Sequence, residues 1–456
     1  MRTSNIQHPM NPPATHRRSL LFHWILGVGC WAFGVGSVAA PVDEPINLAA
    51  VMRLAGADNL EIQIAQARLT EAQAIHRQTL AQFFPYLTPG LVFRKHEGNS
   101  QTVEGEIIEA DKQSLAAGVN VIAQLEIGET IYKSLITRHL ATAAEFAAET
   151  QRQESVYLAV SGFLDLVRAN AATKVALESV NIADDYARQV KQAVDAGVAF
   201  KGDQFRARTQ AERNRLILRQ TQEQRRVAAA RLAVVLRLQP TIDLRPEGGE
   251  PAPLKLVESR ETLGSLVGNA LTNRPELGQS GAEQTAAAKA RAAALYGPLI
   301  PTLRAEYFQG GLGGGTHDDG PRHFNDSDDF SAGLSWRIGP GGLGDVTRID
   351  SADARLRTAQ LTGERLRLEI IRQVVEAHAR VQSFTDQLAS AHNALAAAEE
   401  SLKLTRQRQQ FGVGEVLENI KAEEDLTRVR LDYLTIITEH NRAQFALRRA
   451  IGKAMR

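Results

Sequence analysis

A stretch of eight residues that comes back, altered but in register, limits what this chain can fold into more than any other feature. Ala196-Gly197-Val198-Ala199-Phe200-Lys201-Gly202-Asp203 returns 215 positions later as Phe411-Gly412-Val413-Gly414-Glu415-Val416-Leu417-Glu418. The correspondence continues, with Ala207 matched by Ala422 and Leu232 by Leu447. The two halves also open alike. Asn59-Leu60-Glu61-Ile62 heads a helical run that ends at Phe84-Pro85; Arg274-Pro275-Glu276-Leu277 heads one that ends near Ile300-Pro301, where the offset has become 216. Solenoid repeats have periods of roughly 20–50 residues, so this is a different object. One supersecondary unit has been duplicated, and the fold must set two similar halves side by side.

The 456 residues, 43% hydrophobic, could fill two or three ordinary domains. Aromatics make up only 5% while alanine is abundant, which suits long, closely packed helices better than a bulky core. A net charge of +1 gives no reason to expect a nucleic acid or an acidic substrate.

The N-terminus has the form of a secretory signal: Arg17 and Arg18, a mostly apolar core from Leu20 to Phe33, then small residues. Cleavage after Ala39, with Ser37 and Ala39 as the small pair, keeps Pro41 away from the cut, so residues 1–39 are assigned to the signal peptide. An uncleaved membrane anchor is the alternative, disfavoured by the shortness of the apolar run. Cys30 is the only cysteine and lies in this leader, so a mature chain has neither a disulfide nor a catalytic thiol. Gly27-Val28-Gly29-Cys30 resembles a lipoprotein box, but Gly27 stands where a bulky aliphatic residue is usual, and lipidation is the lesser reading.

Helical signals dominate the rest. No proline occurs between Gly90 and Gln239, and Gly162 is the only glycine between Glu129 and Ala196; from Asp345 to Phe411 the only glycine is Gly363. Val156, Val160, Phe163, Leu164 and Val167 recur at helical spacing. Such helices are roughly 100 Å long, far more than a compact domain holds, and charges such as Arg152, Glu154 and Asp165 place them in water. Uninterrupted pattern of that length, with alanine-rich faces such as Ala141, Ala144 and Ala148, predicts coiled-coil-like packing. A Gly-Val turn then leads into a second helix in each half, expected over Asp203–Leu238 and Glu415–Ile451. Shorter helices are expected over Leu48–Phe83 and Glu261–Tyr296, the latter restarting at Asn273-Arg274-Pro275-Glu276, which reads as an N-cap followed by a first-turn proline. The first repeat is placed at 40–239, a linker at 240–260 and the second repeat at 261–456.

Four short runs alternate as strands do, at about 86–94, 115–126, 302–310 and 330–338. In Phe330-Ser331-Ala332-Gly333-Leu334-Ser335-Trp336-Arg337-Ile338 one face is wholly apolar and the other small or polar. Polar loops, Lys95–Gln113 and Gly310–Asp329, are expected to join each pair. The runs come close to the 9–11 residues that a tilted strand needs to cross a bilayer, and no segment after the leader approaches the roughly 18 apolar residues of a transmembrane helix. An ordinary surface hairpin is the competing reading. If the strands do cross the membrane, four per chain cannot close a barrel, so several chains must share one.

Taken together, these residues resemble an outer-membrane efflux protein of the TolC family. The likeness rests on the Asn59-Leu60-Glu61 and Arg274-Pro275-Glu276-Leu277 openings, the helix-to-strand exits at Pro85 and Pro301, and the two Gly-Val turns, and runs from about Leu48 to Gly452. It implies a mainly α fold with a small β part: long antiparallel helices forming an α-helical barrel, plus four transmembrane strands per chain in a shared twelve-stranded barrel. It further implies a homotrimer in the cell outer membrane reaching into the periplasm, and docking with a periplasmic adaptor (membrane fusion protein) and an inner-membrane transporter. Drugs, metals or other small toxic compounds would be the cargo. Pro240–Pro253 would be the link between halves.

By position, the resemblance puts Glu418 among the carboxylates that line the tunnel's constriction, with Asp203 its counterpart in the first repeat. Lys421 stands where a second carboxylate can occur, and Gly414 where some members have a basic latch residue. The plain alternative, compatible with the first, is that Asp203 and Glu418 simply favour the N-termini of their helices. Gly197-Val198 and Gly412-Val413 are either helix C-caps or, in addition, tip turns for the adaptor. The loop containing His317, Asp318, Asp319, His323, Asp326, Asp328 and Asp329 matches no zinc or EF-hand spacing and reads as a solvated loop. No G-x-x-x-x-G-K-[ST], G-x-S-x-G or H-E-x-x-H occurs, so no enzyme and no cofactor are expected. Three readings remain: an efflux duct, a duct for one-step polypeptide secretion, and a periplasmic coiled-coil scaffold without a pore.

Overall fold

The computed structural model describes residues 43–57, 59–239, 241–248, 251–257, 261–316, 322–411 and 415–453. The leader with Cys30, the residues Pro240, His317–Gly320 and Gly412–Gly414 lie outside the described residues.

Each half begins with a helix that breaks once. In the first, α1 (Leu48–Ala57) is followed by α2 (Leu60–Ala81). Asn59 makes the break: its backbone is extended, its Oδ1 accepts from the Glu61 N–H at 2.8 Å, and its Nδ2 donates to the Val235 carbonyl. In the second, α5 (Leu263–Asn273) gives way to α6 (Pro275–Tyr296). Here the capping residue is Arg274 and not Asn273. Its side chain does not cap; it is buried and pairs with Glu276 while donating to Gln373 at 2.6 Å. Pro275 starts α6 because the first turn needs no N–H from it. The single run expected over 48–83 is therefore two helices, and the restart expected within 261–296 falls at Pro275.

Two strands and a long helix follow in each half. β2 (Tyr86–Gln101) and β3 (Ile107–Leu125) lead to α3 (Ile127–Asp195), 69 residues long, and then to α4 (Lys201–Val235). In the second half β5 (Thr302–Gly315) and β6 (Arg322–Ser335) lead to α7 (Val346–Gln410) and α8 (Val416–Ala450). α4 starts two residues before the expected Asp203, capped by Phe200, and ends before Leu238 because Arg237 takes a left-handed backbone.

β2, β3, β5 and β6 form one antiparallel sheet in that order. One row across it reads Leu87, Val121, Tyr307, Phe330. The hairpins are longer than the alternating pattern indicates. Lys95 pairs with Gln113, Glu97 with Asp111 and Gln101 with Ile107, so most of the expected loop 95–113 is ladder; Gly310–Gly315 and Arg322–Asp329 extend likewise. Polar side chains do not stop a backbone ladder once one has started. β6 also stops short of Ile338, where a glycine-rich turn from Gly339 to Gly344 leads to the Asp345 cap of α7. On one face the Phe308 ring lies against Gly118 and Gly310, where the two strands have no side chain to hold it off.

Between the sheet and the far helix ends sits a mid-level core. A short parallel pair, β1 (Asp43–Ile46) with β4 (Asp243–Pro246), packs near Val51, Val160, Phe163, Leu232 and Leu244. Arg225 clamps Asp243 through two bonds of 2.8 and 2.9 Å. Residues 251–257 of the linker are held against α8: Asn441 accepts from Leu254 N–H and donates to the Ala252 carbonyl, and Gln444 accepts from Leu256 N–H. A second core joins Leu266, Ile370, Val374, Leu447 and Ile451.

Candidate functional site at the helix ends far from the sheet

α3 ends in a left-handed cap. Gly197 has φ +75°, its N–H donates to Val194, and the Val198 N–H reaches back to Ala193. Nothing crowds Gly197, and Val198 is 79% exposed beside the equally bare Phe200. α7 ends at the same level with the exposed Phe411; the second turn's Gly412, Val413 and Gly414 lie outside the described residues. At the opposite end of the helices, Pro85 immediately precedes β2 and Pro301 immediately precedes β5.

The two expected carboxylates each stand in the first turn of a helix and each has a cation. Asp203 pairs with Arg206 at 3.0 Å and Glu418 with Arg408 at 3.5 Å. Lys421, one turn further along α8, opens onto a groove of about 410 Å³ between α4 and α8, together with Phe205, Arg206, Arg213 and Glu424.

Sequence reasoning missed a polar set that ties α8 to α3 and α7. Tyr186 of α3 accepts from Gln409 at 2.9 Å and donates to the Val416 carbonyl; Asn419 donates to the same Gln409 at 3.0 Å. One turn on, the buried Glu423 pairs with Arg406 at 3.1 Å. Burial raises the Glu423 carboxyl above the ordinary range against the opposing pull of Arg406, and burial likewise raises the Tyr186 phenol. Next along, Ser179 and Thr427 share a hydrogen bond of 2.7 Å. The available signal was Asn419, Glu423 and Thr427, polar residues four apart on the core side of α8 where apolar ones belong.

The arrangement is one of ion pairs and hydrogen bonds between helices. Among the described residues no group of His, Cys, Asp and Glu could hold a metal ion, and no helix is long and apolar enough to cross a membrane. Its chemistry is that of charged side chains at the end of a long helical bundle, opposite an open β-sheet.

Residues 266–453 match the family model described as outer membrane efflux protein. The fold matches solved structures over nearly the whole chain: the outer-membrane channel OprN (TM-score 0.75, 21% identity, 89% of each chain covered). The CmeC outer membrane channel of Campylobacter jejuni follows at TM-score 0.75 and 13% identity, covering 90% of this chain and 86% of that one. The outer membrane protein VceC of Vibrio cholerae gives 0.72 and 18%, covering 89% and 96%. Over residues 266–453 the chain carries an outer membrane efflux protein domain, and its fold is that of TolC-type channels. Among curated protein sequences none matches it significantly. This chain resembles outer-membrane channels in fold, and over residues 266–453 it matches the model of an outer membrane efflux protein. It is mainly α, with long antiparallel helices and four strands in one sheet.

Proposed function

We propose that three copies of this chain close a twelve-stranded barrel and a helical tunnel beneath it, forming the exit duct of a tripartite exporter of small toxic compounds. The single observation that supports this is the sheet. β2 and β6 are each paired on one side only. Leu87, Leu91, Phe93, Phe330 and Leu334 on one face are strongly exposed in a single chain. An open edge with an apolar face is not tolerated in lipid, and pairing β6 of one copy with β2 of the next removes it.

In this reading the helix ends far from the sheet form the periplasmic tip. Asp203 and Glu418, with Lys421 and Gly414, sit at the constriction, and the turns Gly197-Val198 and Gly412-Val413 receive a periplasmic adaptor that links the duct to an inner-membrane transporter. Pro85 and Pro301 mark the passage from tunnel to barrel. The test is the mass of the detergent-solubilised protein together with conductance in planar bilayers. A three-chain particle that conducts is expected; a monomer that stays in the soluble periplasm rejects the proposal.

A further inference from the structure

α4 and α8 hold the same place in their repeats and are both 35 residues long, yet their charges have diverged. α8 carries six Lys/Arg and six Asp/Glu, whereas α4 carries nine Lys/Arg and only three Asp/Glu. Three of the α4 cations are engaged within the chain: Arg206 by Asp203, Arg215 by Asp184 and Glu212, and Arg225 by Asp243. The other six are exposed and meet no carboxylate among the described residues.

Lys201, Arg208, Arg219 and Arg226, four of those six, fall on one line. Steps of 7, 11 and 7 residues at about 100° each return to within about 20° of a single azimuth, and the line runs for roughly 38 Å. Beside it, spaced 11 apart, stand Phe205, Leu216 and Val227, 57%, 57% and 41% exposed. The buried residues of α4, among them Ala207, Asn214 and Leu232, lie on the opposite side. Of the helix's acids, Glu212 is taken by Arg215, which leaves Glu223 to face the line.

A merely solvated basic face needs no apolar ridge. A ridge flanked by unpaired cations fits an amphipathic helix whose own flanks are acidic, since opposite charges set orientation and the apolar stripe supplies the contact. No other long helix of this chain answers that description. α7 has ten Lys/Arg against eight Asp/Glu and α8 is balanced. α3, with nine acids against seven bases, already packs on α4 and gives Asp184 to Arg215.

We infer that this side of α4 is a docking strip for an acidic amphipathic helix of a partner protein. Phe205, Leu216 and Val227 seat the helix, and Lys201, Arg208, Arg219 and Arg226 select it by charge. The inference rests on the exporter reading for the partner's place beside the tunnel, and adds the chemistry by which that partner is chosen.

The experiment uses the full chain in detergent and two synthetic helices of one apolar pattern, one flanked by Glu and one by Lys, followed by fluorescence anisotropy. The Glu-flanked helix is expected to bind, and the Lys-flanked one not. Binding should weaken by about tenfold or more in the Arg208→Gln, Arg219→Gln, Arg226→Gln triple variant and in high salt. Equal binding of both helices, or binding that the triple variant leaves unchanged, overturns the inference. So does loss of the oligomer in that variant, which would put the strip between copies of this chain. Conductance of the same preparation separates the two proposals. A conducting channel that ignores the Glu-flanked helix sinks the docking strip alone, and a preparation that never conducts sinks the exporter reading.

Discussion

Arg237 and Gly452 are the same residue of the two repeats, 215 positions apart, and both end the last helix of their half in a left-handed backbone, with φ +57° and +71°. The bonds match as well: Leu238 N–H to Ala233 and Arg237 N–H to Val234 on one side, Lys453 N–H to Arg448 and Gly452 N–H to Arg449 on the other. The surroundings differ. A Cβ on Gly452 would lie 2.9 Å from the Arg274 backbone nitrogen, at the break between α5 and α6. Gly452→Ala should therefore destabilise by more than the roughly 1–2 kcal/mol of a left-handed non-glycine residue. Arg237→Gly should be neutral or stabilising. Thermal unfolding of the detergent-solubilised protein checks both, and equal losses for the two substitutions would contradict the argument.

At the sheet, a Cβ on Gly118 would lie 2.5 Å from the Gln309 carbonyl oxygen and 2.7 Å from the Phe308 ring. If copies of this chain share one barrel as proposed, Gly118→Val should abolish the detergent-solubilised oligomer, read from its mass. Adding Phe308→Ala should not rescue it, because the nearest obstacle is backbone. Rescue by the second substitution would show that the ring alone was in the way.

The duplication made most of this fold legible. α2 and α6 begin and end 215 residues apart, as do α4 and α8, since a repeat read from Gly-Val turns and Asn/Pro breaks carries its helix ends with it. Strand length was not legible, because Lys95, Glu97, Asp111 and Gln113 break the alternation of hydrophobicity without breaking the ladder. At the helix ends far from the sheet, Asp203 and Glu418 could be read from their place after a turn. Their partners Arg206 and Arg408 could be read only in part. Arg206 is three residues from Asp203 on one helix, but Arg408 belongs to a different helix from Glu418. The Tyr186–Gln409–Asn419 set was hidden for the same reason: it joins three helices, and periodicity describes one at a time.

Glu423 gives a pH dependence with a definite sign. Burial raises its folded-state pKa above the ordinary carboxylate value of 4.5. The unfolded chain therefore loses this proton first as pH rises, and the stability that Glu423 contributes below the ordinary value is lost through the window above it. Glu423→Gln should flatten this part of the profile: relative to the variant, the parent protein is more stable near pH 4 than near pH 7. The Arg406 pairing works in the opposite direction, so Arg406→Gln should steepen the loss. Parallel profiles of parent and Glu423→Gln across this range would remove Glu423 as the source.

In the exporter reading, Asp203 and Glu418 bear on ion selectivity. Glu418 is paired with Arg408 at 3.5 Å, and both side chains are well exposed, 40% and 58%. The pair is thus screened and of little consequence for stability. In a narrow bore its two charges would nevertheless act on passing ions separately. Removing the carboxylate in Glu418→Ala leaves Arg408 unopposed, so cation preference should fall and block by divalent cations should weaken. Removing the cation in Arg408→Gln should shift the reversal potential the other way. Asp203→Ala, beside Arg206, should resemble Glu418→Ala if both acids line one constriction. Reversal potentials under a salt gradient in planar bilayers read all three. If Glu418→Ala and Arg408→Gln both leave the reversal potential where it was, these residues only start and finish helices, and the narrowest part of the passage lies elsewhere.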